Sequence, residues 1–478
     1  MSVSPLAPRS KKTLTATSRC RRLAARILTA AIATALPTVA IATISSVDVS
    51  PVSAADWTRF LGPNGSSVAA DSQGLVEKWS DDENVLWKSE LPGRGVSSPI
   101  IIGDKLFVTS YSGYGTGGTD EKMENLKRHV TCLNAKTGSE IWSHTIDAVQ
   151  PEDPYEGPGV PSHGYASHTP VSDGEHLFVF LGKSGVIAYD FDGNELWRRS
   201  VGTGSGPMKW GSAASPILYQ SDETKLLIIP ASEESETIFA FDPETGKEVW
   251  KSEASSLSGS WSTPTLAKSG DQIDLVLMVP GEVWGMNPET GKLRWYSRGT
   301  SDNTTSASPI VAGDVVYAIG GRGGDSVAVR AGGSGDVNDS HVVWDAKIPG
   351  RFSSPIISED HIFVSSDGVI SVYDAKSGDK LGQQRLPTSS GDRGDSGGRG
   401  GRRGGFGNIT YATPVLADGK LYIPTASGDF HVVAATPELE IIATNKLTDP
   451  TGFSASPAVS NGRLYIRSGG AVYCIGKE

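Results

Sequence analysis

Phe241-Asp242-Pro243-Glu244-Thr245-Gly246-Lys247-Glu248-Val249-Trp250 reads as a strand, a tight turn and a second strand carrying an indole. Asp242 is placed to accept hydrogen bonds from backbone N–H groups two or three residues on. Gly246 supplies the left-handed conformation that a type I turn with a bulge requires. One such hairpin cannot bury its own indole, but many copies side by side can.

The copies are present. Asn287-Pro288-Glu289-Thr290-Gly291-Lys292-Leu293-Arg294-Trp295 is nearly identical, and Asn134 to Trp142 matches at the same spacing. Asp190 to Trp197 has a turn one residue shorter, and Asp374 to Asp379 keeps the turn but continues into Gln383 and Gln384 without Trp. A second mark, a small residue followed by Pro and an apolar residue, recurs at Pro99, Pro170, Pro216, Pro264, Pro309, Pro355, Pro414 and Pro457. Successive prolines are 71, 46, 48, 45, 46, 59 and 43 residues apart. A period in the forties with several short strands per unit predicts a β-propeller.

Eight marks predict eight blades in an all-β chain: 97–146, 167–201, 212–253, 260–299, 305–350, 352–388, 410–450, and 453–478 completed by 84–91. The last unit stops before a fourth strand, whereas Asn84 to Leu91, with Trp87, is a fourth strand with no turn before it. The N-terminal strand is therefore expected to close the ring and leave no open edge. Trp87, Trp142, Trp197, Trp250, Trp295 and Trp344 are the expected docking indoles.

Residues 1–54 read as a signal peptide: a basic lead-in (Lys11, Lys12, Arg19, Arg21, Arg22, Arg26), an apolar stretch from Ile27 to Ile44, and the small residues Val52-Ser53-Ala54. An uncleaved anchor is the rival, since a span needs roughly 17–25 apolar residues; Pro37 and the threonines favour cleavage. Export to the periplasm or beyond follows. The mature chain would carry 36 basic and 53 acidic residues, which argues against nucleic acid or an anionic membrane as partner. Of the three cysteines, Cys132 and Cys474 fall on equivalent third strands of neighbouring blades, too far apart to bridge, and are expected as buried thiols. Residues 55–83 read as an irregular arm laid over the surface, with Trp57, Phe60 and Trp79 as anchors.

The Asp-x-x-x-Gly-Lys-x-x-Trp hairpin following a Ser-Pro strand resembles the tryptophan-docked repeat of pyrroloquinoline quinone (PQQ)-type propellers, over essentially all of residues 84–478. The plan resembles exported PQQ-like repeat proteins of planctomycete-type bacteria. Two branches share this repeat: quinoprotein alcohol and glucose dehydrogenases, and non-enzymatic propellers like the barrel-assembly lipoprotein of Gram-negative outer membranes (the BamB-like branch). In the enzymes, the resemblance implies a quinone on the ring axis, Ca²⁺ held by Glu, Asn and Asp, an Asp base, and adjacent cysteines. No two cysteines are adjacent here. The segments leading into the eight first strands contain no Glu or Asp, Asp302 lying just outside one of them, and a hard cation needs several oxygens. No catalytic residue, metal or cofactor is therefore expected, with PQQ and calcium as the alternative.

Those segments instead offer Arg94, His163, Tyr165, His168, Lys209, Trp210, Trp261, Arg351, Phe352, Tyr411 and Phe453. They read either as plugs of the axial channel or as an aromatic, basic mouth for a planar, anionic or carbohydrate-like ligand. His163 and His168 lack a third ligand in sequence for a metal. Three insertions decorate the ring: Ser110 to Arg128, with a short helix near Met123; the acidic loop Asp147 to His163, expected to cap the mouth; and the Gly/Arg-rich Ser389 to Gly407. No Gly-x-Ser-x-Gly, His-Glu-x-x-His or phosphate-loop motif occurs. The expected protein is a monomeric, non-catalytic binding or scaffolding module for an envelope protein or small ligand. A degenerate quinoprotein oxidoreductase and a carbohydrate-binding accessory protein are the alternatives.

Overall fold

The computed structural model describes residues 56–321, 323–388 and 411–477. The expected signal segment, 1–54, and the Gly/Arg-rich insertion Ser389 to Gly407 lie outside these residues. Eight antiparallel sheets form in chain order, each with four strands of the ring, so the chain is an eight-bladed β-propeller. First strands touch the first strands of neighbouring blades, which sets them innermost around the axis.

The repeated hairpin behaves as its residues dictate. Asp242 Oδ1 accepts from the N–H groups of Thr245 at 2.8 Å and Glu244 at 3.1 Å, and Gly246 N–H donates to Asp242 O at 2.8 Å. The strand register slips by one residue between Ala240 and Phe241, the bulge that the turn demands. Trp197 of the preceding blade then lies on this turn, its Nε1–H donating to Pro243 O at 2.8 Å. Trp87, Trp142, Trp250 and Trp344 dock in the same way on Ala135, Phe191, Pro288 and Ala375, at 2.9–3.2 Å. Gly246 is constrained twice, by φ of +64° and by the indole of Trp197, which a Cβ would meet at 2.5 Å. Gly246→Ala is expected to cost about 2–5 kcal/mol, the left-handed conformation and the overpacking adding together. Gly270→Ala, at φ +59° with open space around it, is expected to cost only about 1–2 kcal/mol. Urea unfolding of the two variants, with unchanged slope, checks the difference.

Trp295 departs from the expected docking. Its Nε1–H donates to Asp274 Oδ2 on its own blade at 2.7 Å, not to a carbonyl of the next blade. The next blade has no tight third turn: residues 331–341 replace it, and Gly335–Asp336 pair in parallel with Trp295 and Tyr296.

The Ser/Thr-Pro mark has a structural reason that joins the blades. The backbone N–H of each hydroxyl residue before proline donates to the hydroxyl of its counterpart in the next blade: Ser98 to Thr169, then Ser215, Thr263, Ser308, Ser354, Thr413 and Ser456. All seven bonds measure 2.9–3.0 Å and form a belt around the axis. At the remaining seam, Arg467 Nη1 donates to Ser97 O at 2.7 Å.

Val85–Glu90 pairs antiparallel with Ala471–Ile475, so the N-terminal strand closes the last blade. Cys132 and Cys474 are buried and unbridged.

The arm before that strand does not lie over the surface. Trp57 bridges Ile101 on the first strand of blade 1, Ser172 N–H of blade 2 donates to Thr58 O, and Val68–Ala69 pairs in parallel with Leu416–Ala417 of blade 7. These are innermost strands, so residues 56–69 lie across the axial channel. The physical reason is that first strands leave unpaired backbone groups toward the axis, and an extended segment satisfies them. Trp79 then anchors the outgoing chain against Tyr422 and Phe430, at 6.3 and 5.9 Å between ring centres.

Candidate functional site: an axial cavity and its buried polar wall

A cavity of about 480 Å³ occupies the axis above the arm. Its deep layer comprises Ser98, Ser215, Thr263, Ser308 and Ser456 of the hydroxyl belt together with Phe60 of the arm. Because the arm pairs with first strands just past the belt, the cavity is closed beneath and open at the face of the blade-connecting segments.

Six of the expected mouth residues line it: His163, Trp210, Trp261, Arg351, Phe352 and Tyr411. Trp210 and Trp261, leading into blades 3 and 4, stack at 5.7 Å with 24° between planes. Trp261 Nε1–H is fixed on Gly211 O at 2.7 Å. Phe352 and Tyr411, leading into blades 6 and 7, pack at 4.6 Å, and the guanidinium of Arg351 lies 4.6 Å from the Phe352 ring centre. In an eight-fold ring these two aromatic pairs face each other across the axis. Both ring nitrogens of His163 are engaged, Nδ1 with Ser167 Oγ at 2.6 Å and Nε2 with Trp210 O at 2.8 Å. Burial pushes its pKa down, which keeps the imidazole neutral.

The other five stand elsewhere. Arg94 and Lys209 are exposed and do not line the cavity. Tyr165 is buried edge-on against Tyr111 at 5.3 Å and donates to Asp153 O at 2.7 Å. His168 is buried against Phe180 at 4.3 Å. Phe453 is buried against Phe430. The mouth is therefore aromatic and hydroxylated but not basic: among the described residues, its charged lining groups are Arg351 and Asp302. Sequence spacing placed the basic residues on the right segments, yet which way a loop side chain turns depends on its tertiary neighbours.

The acidic loop does form part of the wall, through Pro158, Gly159, Ser162 and His163. It is fastened by groups that the reading of single segments did not assemble. Glu152 pairs with Arg128 in a buried ion pair. Lys183 Nζ holds Asp153 Oδ1 at 3.1 Å, Pro151 O at 3.1 Å and Ser205 Oγ at 2.7 Å. Beside them lie Glu233 and Glu234, on a one-turn helix, Ser232–Ser235, between the second and third strands of blade 3. Burial pushes both carboxyls up to about 7, against the opposing bonds from Gly259 N–H to Glu233 and from Ser212 Oγ–H to Glu234. Since the Ser212 hydroxyl donates to Glu234, it accepts from His168 Nε2 at 2.9 Å. The signal for this cluster was the Ser-Glu-Glu-Ser run between two strands of blade 3, but no periodicity marks it.

No group of three His, Cys, Asp or Glu side chains among the described residues could hold a metal. A calcium-bound quinone does not fit the described lining: a cation taking about 6–8 oxygens needs more than one carboxylate, and among the described residues Arg351 is the single lining cation for a carboxylate-bearing ligand.

Comparisons with known proteins agree with this architecture. The crystal structure of BamB from Moraxella catarrhalis is similar with a TM-score of 0.53 and 14% identity, covering 82% of this chain and 99% of that one. Quinohemoprotein alcohol dehydrogenase from Comamonas testosteroni is similar with a TM-score of 0.61 and 13% identity, covering 89% of this chain and 81% of that one. Among curated proteins, polyvinylalcohol dehydrogenase from Pseudomonas sp. is 25% identical over 207 residues, 40% of this chain. The matched region spans about a quarter (26%) of that relative's length. No helix among the described residues is long and apolar enough to cross a membrane. The family described as outer membrane protein assembly factor BamB matches residues 126–381, more than half of the sequence, and the chain belongs to that family.

Proposed function

We propose that the protein is an exported, non-catalytic binding module of the cell envelope, with a small ligand or a partner's side chains seated in the axial cavity. One observation carries this reading. The cavity presents two facing aromatic pairs and a floor of hydroxyls, without, among the described residues, the carboxylate set that a quinone and its cation require. Membership of the BamB family supports it, since fold alone does not assign chemistry. The likeness to polyvinylalcohol dehydrogenase and to a quinohemoprotein alcohol dehydrogenase favours a second reading, a PQQ-dependent oxidoreductase. Incubating the purified protein with PQQ and Ca²⁺, then desalting, separates the two. The expected result is loss of the quinone and no dye reduction with alcohols or sugars; retention of the quinone together with dye reduction would overturn the proposal.

A further inference from the structure

We infer that the axial cavity is a blind pocket for the end of a neutral oligosaccharide, an assignment that rests on the binding-module reading and names its ligand class. Four features of the cavity converge on it.

The first is shape. Residues 56–69 cross the channel and Phe60 floors the cavity, so a chain end can enter but a chain cannot pass through. A volume of about 480 Å³ falls within the range of roughly 300–1,000 Å³ typical of small-ligand sites.

The second is the pair of facing aromatic walls. A pyranose ring exposes a face of C–H bonds whose positive edge suits the negative face of an aromatic ring. Trp210, Trp261, Phe352 and Tyr411 are all half-buried, so part of each ring is open to a ligand.

The third is the hydroxyl floor. Ser215, Thr263, Ser308 and Ser456 each accept a backbone N–H from the preceding blade. A hydroxyl has one donor and two acceptor positions, so each keeps a donor and an acceptor for a second partner. Hydroxyls that each offer a donor and an acceptor are complementary to sugar hydroxyls, whereas an apolar ligand would leave those groups without partners.

The fourth is charge. Among the described residues one guanidinium and one carboxylate line the cavity, the histidine beside them is held neutral, and the whole chain carries a net charge of −11. A polyanionic ligand would meet repulsion at long range and little compensation on arrival. A neutral ligand meets neither.

The test is titration calorimetry, with tryptophan fluorescence in parallel, on the whole mature protein. The probes are neutral gluco-, xylo- and N-acetylglucosamine oligosaccharides of increasing length, with oligogalacturonates and PQQ as anionic probes. At least one neutral series is expected to bind one to one, with affinity rising over the first few sugar residues and then levelling off. Trp261→Ala and Tyr411→Ala are each expected to weaken binding at least tenfold. Trp284→Ala, on the third strand of blade 4 and away from the cavity, should leave it unchanged. Urea unfolding of each variant confirms that the fold persists. Affinity that keeps rising with length would overturn the blind pocket, and binding that survives both cavity variants would move the site elsewhere. Binding of the anionic probes alone, lost in Trp261→Ala, would overturn the ligand class while leaving the binding-module reading intact. No binding by any probe would overturn the ligand class, and the quinone experiment would still judge that reading separately.

Discussion

Asp274→Ala is expected to destabilise the protein by about 3–5 kcal/mol, because it removes one partner from a buried charged network. The carboxylate is fully buried and serves four groups. Oδ2 accepts from Trp295 Nε1–H at 2.7 Å and from Gly332 N–H at 2.9 Å, while Oδ1 accepts from Arg294 Nη1 at 2.7 Å and Gln272 Nε2 at 2.9 Å. Trp295 itself lies flat on its cross-strand partner Gly285, where a Cβ would come within 2.0 Å of the indole. Truncating Asp274 leaves the indole N–H and the Gly332 amide without acceptors at the junction of blades 4 and 5. Asp274→Asn should recover part of the loss, since one amide oxygen still accepts from Trp295. Urea unfolding checks both variants. A cost for Asp274→Ala below that of an exposed Asp345→Ala control would show that the insertion 331–341 holds this junction without the carboxylate.

The second large effect concerns pH. In the native protein Glu233 and Glu234 hold their protons up to about pH 7, whereas in the unfolded chain they release them near 4.5. Across that window the native state binds more protons than the unfolded state, so stability falls as pH rises from about 4.5 to about 7 and is level above it. A displacement from 4.5 to about 7 corresponds to roughly 3 kcal/mol per carboxyl. Glu234→Gln should therefore stabilise the protein at pH 8 by about that amount and change it little at pH 4.5. The groups that face this pair are Arg128, Lys183, Asp153, Glu236 and His168. Melting temperatures of wild type, Glu233→Gln and Glu234→Gln from pH 4.5 to 8.5 provide the measurement. Parallel profiles for all three proteins would refute the assignment of the slope to these carboxyls.

The same cluster fastens the loop that walls the axial cavity. Asp153 meets Lys183 on one side and influences Glu233 on the other, while Glu152 pairs with Arg128. Ionising Glu233 places a second negative charge beside Asp153, which weakens the hold on the loop by like-charge repulsion. Ligand affinity is therefore expected to fall as Glu233 ionises near pH 7, at the upper end of the window in which stability falls, which calorimetry at pH 6 and pH 8 can check.

How much of this was legible in the chain differs from element to element. The hairpin Phe241 to Trp250 specifies its own turn, bulge and indole through local chemistry, and its repetition specifies blades. Counting Ser/Thr-Pro marks gave eight units because seven of the eight hydroxyls have the same local task, to accept one amide from the preceding blade, with Ser98 at the closing seam as the exception. Ring closure by Val85–Glu90 was legible because an unmatched fourth strand and an incomplete last unit are both visible in sequence. These features are local or periodic, and locality and period are what a linear pattern records.

What only the tertiary structure decided is where non-repeating segments go. The arm 56–69 carries no strand pattern, and it lies across the channel because unpaired backbone groups of three different blades happen to face it there. Trp295 matches the docking pattern yet turns to Asp274, since its partner turn is replaced 40 residues later. Arg94 and Lys209 sit on the correct segments but face solvent, and Arg128, Glu152, Asp153, Lys183, Glu233 and Glu234 converge from separate elements into one buried cluster. A sequence fixes which groups exist and which turns they form. Desolvation, and the partners that make it tolerable, arise between segments far apart in the chain, and those contacts set the cavity's floor, its charge and the protonation of its wall.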